Sequence, residues 1–338
     1  MGLHQQPRMR FADLPTPLQF APRLSEALGG PRVYLKRDDL TGLALGGNKT
    51  RKLEYLVADA AAQGATHLIT VGAAQSNHAR QTAAAARLAG MECHLVLNAQ
   101  TNKPDVQGNL LLDKLLGANV HIVVGGPQER QAKVDEVTAD LADGGAVPYS
   151  IPSGGSNGIG SLGYVGAMLE LSHQIWEQGI QPKAMYFAAG GGGTHGGIIT
   201  GAKLFGLDFA MVGVMVEDDM NAGVERAFRV AGWTAERLGI ANPVAVCDIV
   251  CNDKHVGEGY GIPTDEGLAA IKLLARTEGV LLDPVYTSKA FAGMVADIRS
   301  GTYSSSDTVI FLHTGGAPAL FAQTDILLPV LDDCRGNR

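Results

Sequence analysis

The chain has 338 residues, more than a usual single domain of roughly 100–200, so two domains or one large α/β unit is the first expectation. A formal net charge of −7 and an isoelectric point near 5.7 leave no basic surplus for a run of phosphates, which argues against a nucleic-acid partner. Glycine accounts for 44 residues, well above its ordinary share, yet 46% of the chain is hydrophobic and no tract is of low complexity, which argues against disorder and places the glycines in functional or tight turns.

Residues 1–20 carry Arg8, Arg10, Asp13 and three prolines without an apolar core, and no later run is long enough to span a bilayer. Neither a signal peptide nor a membrane helix is expected. The four cysteines, Cys93, Cys247, Cys251 and Cys334, form no paired framework, which fits a reducing, cytoplasmic setting.

Aliphatic runs alternate with alanine-rich amphipathic stretches, the pattern of βα units and mostly parallel sheets. In chain order the first half predicts a helix near 50–63, a strand at His67–Val71, a helix near 77–89 and a strand at Cys93–Leu97. A helix near 106–116, a strand at Val120–Val124, a helix near 128–142 and a short strand at Val147–Ser150 complete one open sheet. The Gly/Ser-rich segment 151–160 then marks a turn or domain crossing. Beyond it, strands at Ala184–Ala188, Met211–Val216 and Thr308–Leu312 and helices near 157–178, 195–205, 219–238, 264–278 and 286–299 predict a second sheet. No repeat of 20–50 residues recurs.

Three strand-to-helix turns concentrate the chemistry. In Leu45-Gly-Gly-Asn-Lys-Thr-Arg-Lys-Leu-Glu54, Asn48 is placed to cap the following helix, and Lys49 sits where the positive helix end favours a neutral amine. The alternative is a solvated helix-start lysine; of the local competitors Lys36 and Lys52, Lys52 reads as a solvated helix face. In Gly72-Ala-Ala-Gln-Ser-Asn-His-Ala-Arg80, Ser76, Asn77 and His78 crowd a helix start that suits a carboxylate or phosphate, or merely caps the helix. His78 has no partner at metal-ligand spacing, so no metal site is expected. In Ala188-Ala-Gly-Gly-Gly-Gly-Thr-His-Gly-Gly197, unhindered N–H groups and the Thr194 hydroxyl form a phosphate cradle. A dinucleotide turn is the rival reading, with Glu217 its nearest acidic partner. Tyr260, Tyr286, Thr287 and Thr314 lie on later loops that an open parallel sheet can bring to the same crevice.

Together, Gly46-Gly-Asn-Lys-Thr-Arg-Lys-Leu-Glu54, Gln75-Ser-Asn-His78, the Gly190–Thr194 loop, Gly259-Tyr-Gly-Ile-Pro263, Asp283-Pro-Val-Tyr286 and His313-Thr-Gly-Gly-Ala-Pro318 resemble the D-cysteine desulfhydrase / 1-aminocyclopropane-1-carboxylate (ACC) deaminase family of pyridoxal-phosphate enzymes. The resemblance runs from about residue 10 to about residue 322. It implies an α/β chain of PLP fold type II, tryptophan-synthase β-like, with two open, twisted, mostly parallel sheets. The large PLP-binding domain would be residues 1–50 with 158–338, and the small domain residues 51–157, so the simple division into halves is amended. A homodimer is also implied.

By that resemblance Lys49 carries pyridoxal 5′-phosphate and serves as the base at the substrate Cα, with Ser76, Tyr260 and Tyr286 as further catalytic residues. Asn77 lies beside the cofactor 3′-oxygen, and Gly190, Gly191, Gly192, Gly193 and Thr194 form the phosphate cup, with Thr314 also at the cofactor. Ser76, Asn77 and His78 receive the substrate carboxylate, and Tyr260, Tyr286 and Thr287 complete the substrate site.

Thr287 and Thr314 stand where ACC deaminases carry Glu and Leu, which argues against that branch; a hydroxyl near the pyridine nitrogen gives a weaker electron sink, suited to prompt β-elimination. The expected activity is a carbon–sulfur lyase releasing pyruvate, ammonia and sulfide from D-cysteine. L-cysteate sulfo-lyase, with sulfite leaving, is the alternative, and His195, Lys254 or His255 are the candidate cations for its sulfonate. From other classes, an NAD-linked oxidoreductase and a non-catalytic amino-acid binder are retained. The chain departs from the family in lacking a serine among Gly190–Gly193, in Ser288, and in Asp253-Lys-His255; the last two are read as candidate modifiers of substrate choice.

Overall fold

The computed structural model describes residues 2–332. The order begins β1 (Leu18–Phe20), α1 (Pro22–Leu28), β2 (Arg32–Lys36), α2 (Lys49–Ala62), β3 (His67–Ala73), α3 (Asn77–Leu88), β4 (Glu92–Asn98) and α4 (Gly108–Leu115). It continues through β5 (Asn119–Val123), α5 (Pro127–Asp143), β6 (Pro148–Ile151), α6 (Gly158–Gln178), β7 (Pro182–Ala189), α7 (Gly193–Leu204), β8 (Ala210–Met215) and α8 (Met220–Leu238). The last elements are β9 (Val250–Asn252), α9 (Asp265–Glu278), α10 (Thr287–Arg299), β10 (Thr308–Leu312) and α11 (Thr324–Asp332). Every strand and helix expected from the periodicity forms within a few residues. The short β1, β2 and β9, with α1 and α11, are additions. β2 is five residues with charged ends, too short to show a period.

Two sheets result, in orders β1-β2-β10-β7-β8-β9 and β5-β4-β3-β6. All pairings are parallel except β1 with β2. Helices cover both faces of the larger sheet, so β10, Thr-Val-Ile-Phe-Leu, is buried at every residue. The division into sequence halves fails at the N-terminus: β2 pairs with β10, Val33 opposite Val309, so both chain ends build one sheet and the 67–151 strands form the other. Cys93, Cys247 and Cys251 are unpaired, and Cys334 lies outside the described residues. Among those residues no helix is long and apolar enough to cross a membrane.

Helix α2 leads into the smaller sheet yet is clamped to the larger one. Gly163 of α6 passes so close that a Cβ there would lie 2.3 Å from the Arg51 carbonyl oxygen. Arg51, two residues after Lys49, is buried and makes a two-pronged pair with Asp38 at 2.8 Å on each arm, and bonds Glu170 at 2.9 and 3.0 Å. Lys36 also pairs with Glu170, while Thr16 and Tyr164 donate hydroxyls to Asp38. Burial alone would push the Asp38 carboxyl up, but the neighbouring Arg51 and Lys36 charges hold it below the ordinary range.

Breaking one partner of such a cluster strands a buried charge. Arg51→Met should lower the unfolding free energy by about 3–5 kcal/mol in urea titration. Because the Asp38 carboxyl is depressed on folding, its contribution is present at neutral pH and disappears as pH falls below the unfolded value near ~4. The variant should therefore lose part of the wild-type acid sensitivity.

Candidate active site

The C-terminal ends of the two sheets' strands face a common cavity of about 710 Å³, in the range of small-ligand sites. Lys49, Ser76, Asn77, His78, the four glycines 190–193, Thr194, Tyr260, Tyr286 and Thr314 all line it. Thus residues spread over most of the chain converge, and one expected member, Thr287, does not.

Lys49 begins α2 after an unusual turn. Ala44, Leu45, Gly46 and Gly47 have φ of 43°, 72°, 68° and 126°, conformations that cost L-residues energy and persist only when neighbours fix them. Thr41 Oγ1 donates to the Gly47 carbonyl and accepts the Gly47 N–H, and Arg80 donates to the Gly46 carbonyl at 2.8 Å. Asn48 does not cap α2 with its side chain. Gln81 of α3 does so instead, its Oε1 accepting the Thr50 N–H at 2.8 Å. The Asn48 amide is thereby free to accept from Lys49 Nζ at 3.1 Å and to donate to Thr194 Oγ1 at 3.1 Å, tying the lysine to the glycine loop. Burial pulls the Lys49 ammonium down to about 8, against the Asp283 carboxylate, which raises it.

The glycine loop is shaped by what crowds it. Gly192 needs its left-handed φ of 81°, whereas Gly193 needs absence of a side chain, since a Cβ there would meet Lys52 Nζ and Ser156 Oγ, each at 2.7 Å. This corrects the reading of Lys52 as a solvated lysine. It is fully buried, its one hydrogen bond among the described residues goes to the Gly154 carbonyl at 3.1 Å, and burial together with Lys49 depresses its ammonium strongly. A buried amine with one acceptor, which an anion beside it would favour in its protonated form, stands next to unhindered N–H groups at the start of α7 and fits a phosphate dianion. The residues present therefore fit pyridoxal phosphate, with Lys49 for its aldehyde and the Lys52–glycine corner for its phosphate. The sequence signal for Lys52 is its spacing three residues beyond Lys49, on one helix face. Ser156, on the segment read as a turn or domain crossing, is a second missed member.

At α3, Ser76 is the N-cap and accepts the Ala79 N–H at 3.2 Å, so the capping reading holds while its hydroxyl still lines the cavity. Asn77 is fixed from behind by Asn109 Nδ2, which donates to its Oδ1 at 2.9 Å. The Thr70 hydroxyl donates to the Ile151 carbonyl, so at His78 the Nε2–H donates to Thr70 at 3.0 Å and Nδ1 keeps the lone pair. Burial, with Lys49 and Lys52 nearby, keeps this imidazole neutral.

The Tyr260 and Tyr286 hydroxyls lie 2.5 Å apart, and burial raises both phenols, so both are protonated at neutral pH. Lys289, another residue missed in the sequence, donates to the Val256 and Gly259 carbonyls at 2.7 and 2.8 Å and so anchors the loop carrying Tyr260. Thr287 departs from expectation: fully buried, its Oγ1 donates to Asp283 Oδ1 at 2.7 Å and closes the start of α10, leaving only Thr314 of the two threonines on the cavity. Ser288 is likewise buried, facing Gly267. Of the three candidate cations, Lys254 is exposed and His255 packs toward Gly293, both off the cavity wall. His195 lines it but is neutral, lowered by burial to about 4 and packed on Phe187 and Cys251.

In cofactor-free protein, acetylation of Lys49 followed by peptide mass spectrometry should be half-maximal near pH 8 rather than at the ~10.4 of a free lysine. Asp283→Asn should move that midpoint lower, because the carboxylate favours the ammonium. A midpoint at the free-lysine value would contradict the seat described for Lys49.

The sequence profile of pyridoxal-phosphate dependent enzymes matches residues 9–315. A crystal structure of an ACC deaminase homologue superposes with a TM-score of 0.89 at 37% identity, covering 97% of either chain. The crystal structure of a T.th. threonine deaminase shares the fold, with a TM-score of 0.65 at 22% identity over 89% of this chain and 92% of that one. The two mostly parallel sheets are those of PLP fold type II. The chain belongs to the family of pyridoxal-phosphate dependent enzymes.

Proposed function

We propose that the protein is a β-eliminating carbon–sulfur lyase acting on a cysteine-like amino acid, D-cysteine first among them. The observation that carries this reading is the seat of Lys49: an amine lowered by burial, facing the same cavity as the start of α3 and Thr314. The same reading takes residues 51–157 as a small domain, the rest as a large one, and the working form as a cytoplasmic homodimer. An NAD-linked oxidoreductase is set aside with the family now shown.

When bound, the cofactor supplies an electron sink for the pair released at the substrate Cα. The protein's own groups do the rest. N–H groups at the start of α3, with Ser76 and Asn77, hold the substrate carboxylate. Lys49 Nζ, a free base in part at neutral pH, takes the Cα proton. The Cβ–S bond breaks with its electrons on sulfur, toward which the protonated Tyr260–Tyr286 pair can direct a hydrogen bond. The released 2-aminoacrylate hydrolyses in water to pyruvate and ammonia. His78, neutral and turned to Thr70, shapes the wall rather than moving protons. One observation favours L-cysteate, with sulfite leaving, as a second substrate: a guanidinium on the cavity wall, Arg130.

Lys49→Ala should abolish pyruvate release from D-cysteine while leaving the thermal melting curve of the cofactor-free protein near wild type; turnover at the parent rate would refute the assignment. Lys52→Met should weaken pyridoxal-phosphate retention, measured by equilibrium dialysis, about tenfold or more without moving the attachment point from residue 49. A pyruvate-release screen of D-cysteine, L-cysteine, L-cysteate, D-serine and β-chloro-D-alanine, with sulfide and sulfite assayed in parallel, tests the reaction class; no pyruvate from any of them would overturn it.

A further inference from the structure

The cavity wall built by the smaller sheet carries a cation that stands apart from the two lysines. Arg130 lies in the first turn of α5, and its Nη1 donates to Asn98 Oδ1 at 3.1 Å. Asn98 ends β4 and is itself fixed, its Nδ2 donating to the Gly125 carbonyl at 2.9 Å. Arg130, Asn98 and Gly125 all line the cavity. Among the described residues Arg130 forms no ion pair, whereas Arg51 in the core is matched by Asp38 and Arg226, beside the glycine loop, by Asp218.

The other charged groups on the wall already have duties. Two lysines, Lys49 and Lys52, share it with Arg130, and the carboxylate there is Glu217. On the reading above, the cofactor aldehyde takes Lys49 and its phosphate takes Lys52, while the substrate α-carboxylate takes the start of α3. Glu217 belongs to the opposite, larger-sheet side, its Oε1 3.2 Å from where a Gly190 Cβ would stand. A half-buried guanidinium, held by a neutral amide that leaves its charge uncompensated, is then the remaining positive group, and the planar fork suits a two-point contact with an oxyanion.

We propose that Arg130, oriented by Asn98, is a subsite for an acidic group on the substrate side chain, a sulfonate or carboxylate, so that the enzyme accepts amino acids bearing an anionic β-substituent. This deepens the proposed function and rests on its placement of cofactor and α-carboxylate. His195, Lys254 and His255, the cations that the sequence offers for a sulfonate, do not supply this charge: the first is neutral and the other two are off the wall.

The test uses the holoenzyme and compares wild type with Arg130→Gln, Arg130→Lys and Asn98→Ala, reading dissociation constants from the absorbance change of the bound cofactor. L-cysteate and L-aspartate serve as acidic ligands, and L-serine and L-alanine as neutral ones, with pyruvate release followed separately. Arg130→Gln should weaken the acidic ligands about 10–100-fold and the neutral ones by less than about threefold, as loss of a charged hydrogen bond requires. Arg130→Lys and Asn98→Ala should fall between. Equal weakening of both classes, or no loss for the acidic ones, would overturn the subsite. If the acidic preference shifts as stated but no substrate yields pyruvate, the elimination reading fails and the subsite stands. Pyruvate release without that shift sinks the subsite and leaves the elimination reading in place.

Discussion

The site depends on one close crossing of backbone. The Gly46–Gly47 turn before α2 and the Gly315–Gly316 turn after β10 pass so near that a Cβ on Gly315 would lie 2.7 Å from Gly47 Cα, and the Asn48 N–H donates to the Thr314 carbonyl at 3.0 Å. Side chains on either turn would push them apart. Held together, they fix where α2 starts and therefore where Lys49 stands relative to Thr314. The positive φ values at 44–47 are the cost of that geometry, and the Thr41, Arg80 and Gln81 contacts offset it.

A second consequence is electrostatic. The chain is acidic overall, yet Lys49, Lys52 and Arg130 share one cavity whose wall, among the described residues, carries a single carboxylate, Glu217. Burial depresses the two lysines instead of leaving them paired with carboxylates. Such a cavity favours an anionic occupant, and a phosphate-bearing aldehyde answers both demands at once: a dianion for Lys52 and the helix end, a carbonyl for the partly neutral amine of Lys49. The ion cluster of Arg51, Asp38, Glu170 and Lys36 engages the same first turn of α2 and holds the lysines' helix against the larger sheet.

The sequence makes the fold class plain because buried parallel strands such as β10 are continuous apolar runs and the helices between them carry a clear period. Site residues at strand-to-helix turns are legible for the same reason, since glycines and short polar residues stand out there. Residues whose role depends on a contact distant in sequence are not. Gln81 caps a helix from another helix, 31 residues further along the chain, Lys289 pins the Tyr260 loop from α10, and Arg130 reaches the cavity from a helix whose own sequence is charged throughout. Thr287 shows the reverse: a motif position suggests a ligand contact, but the hydroxyl is consumed by Asp283 four residues before it. Lys52 lies between these cases, because helical spacing from Lys49 points to it while its charge argues for solvent.

We propose that the amine of residue 49 bears the cofactor while the corner formed by Lys52 and Gly193 holds its phosphate. Borohydride reduction of the holoenzyme followed by peptide mapping tests this most directly. A single pyridoxyl-phosphate adduct on the peptide containing Lys49, with Lys52 unmodified, is the expected result; an adduct on Lys52, Lys36 or Lys289, or none at all, would contradict this placement of the cofactor.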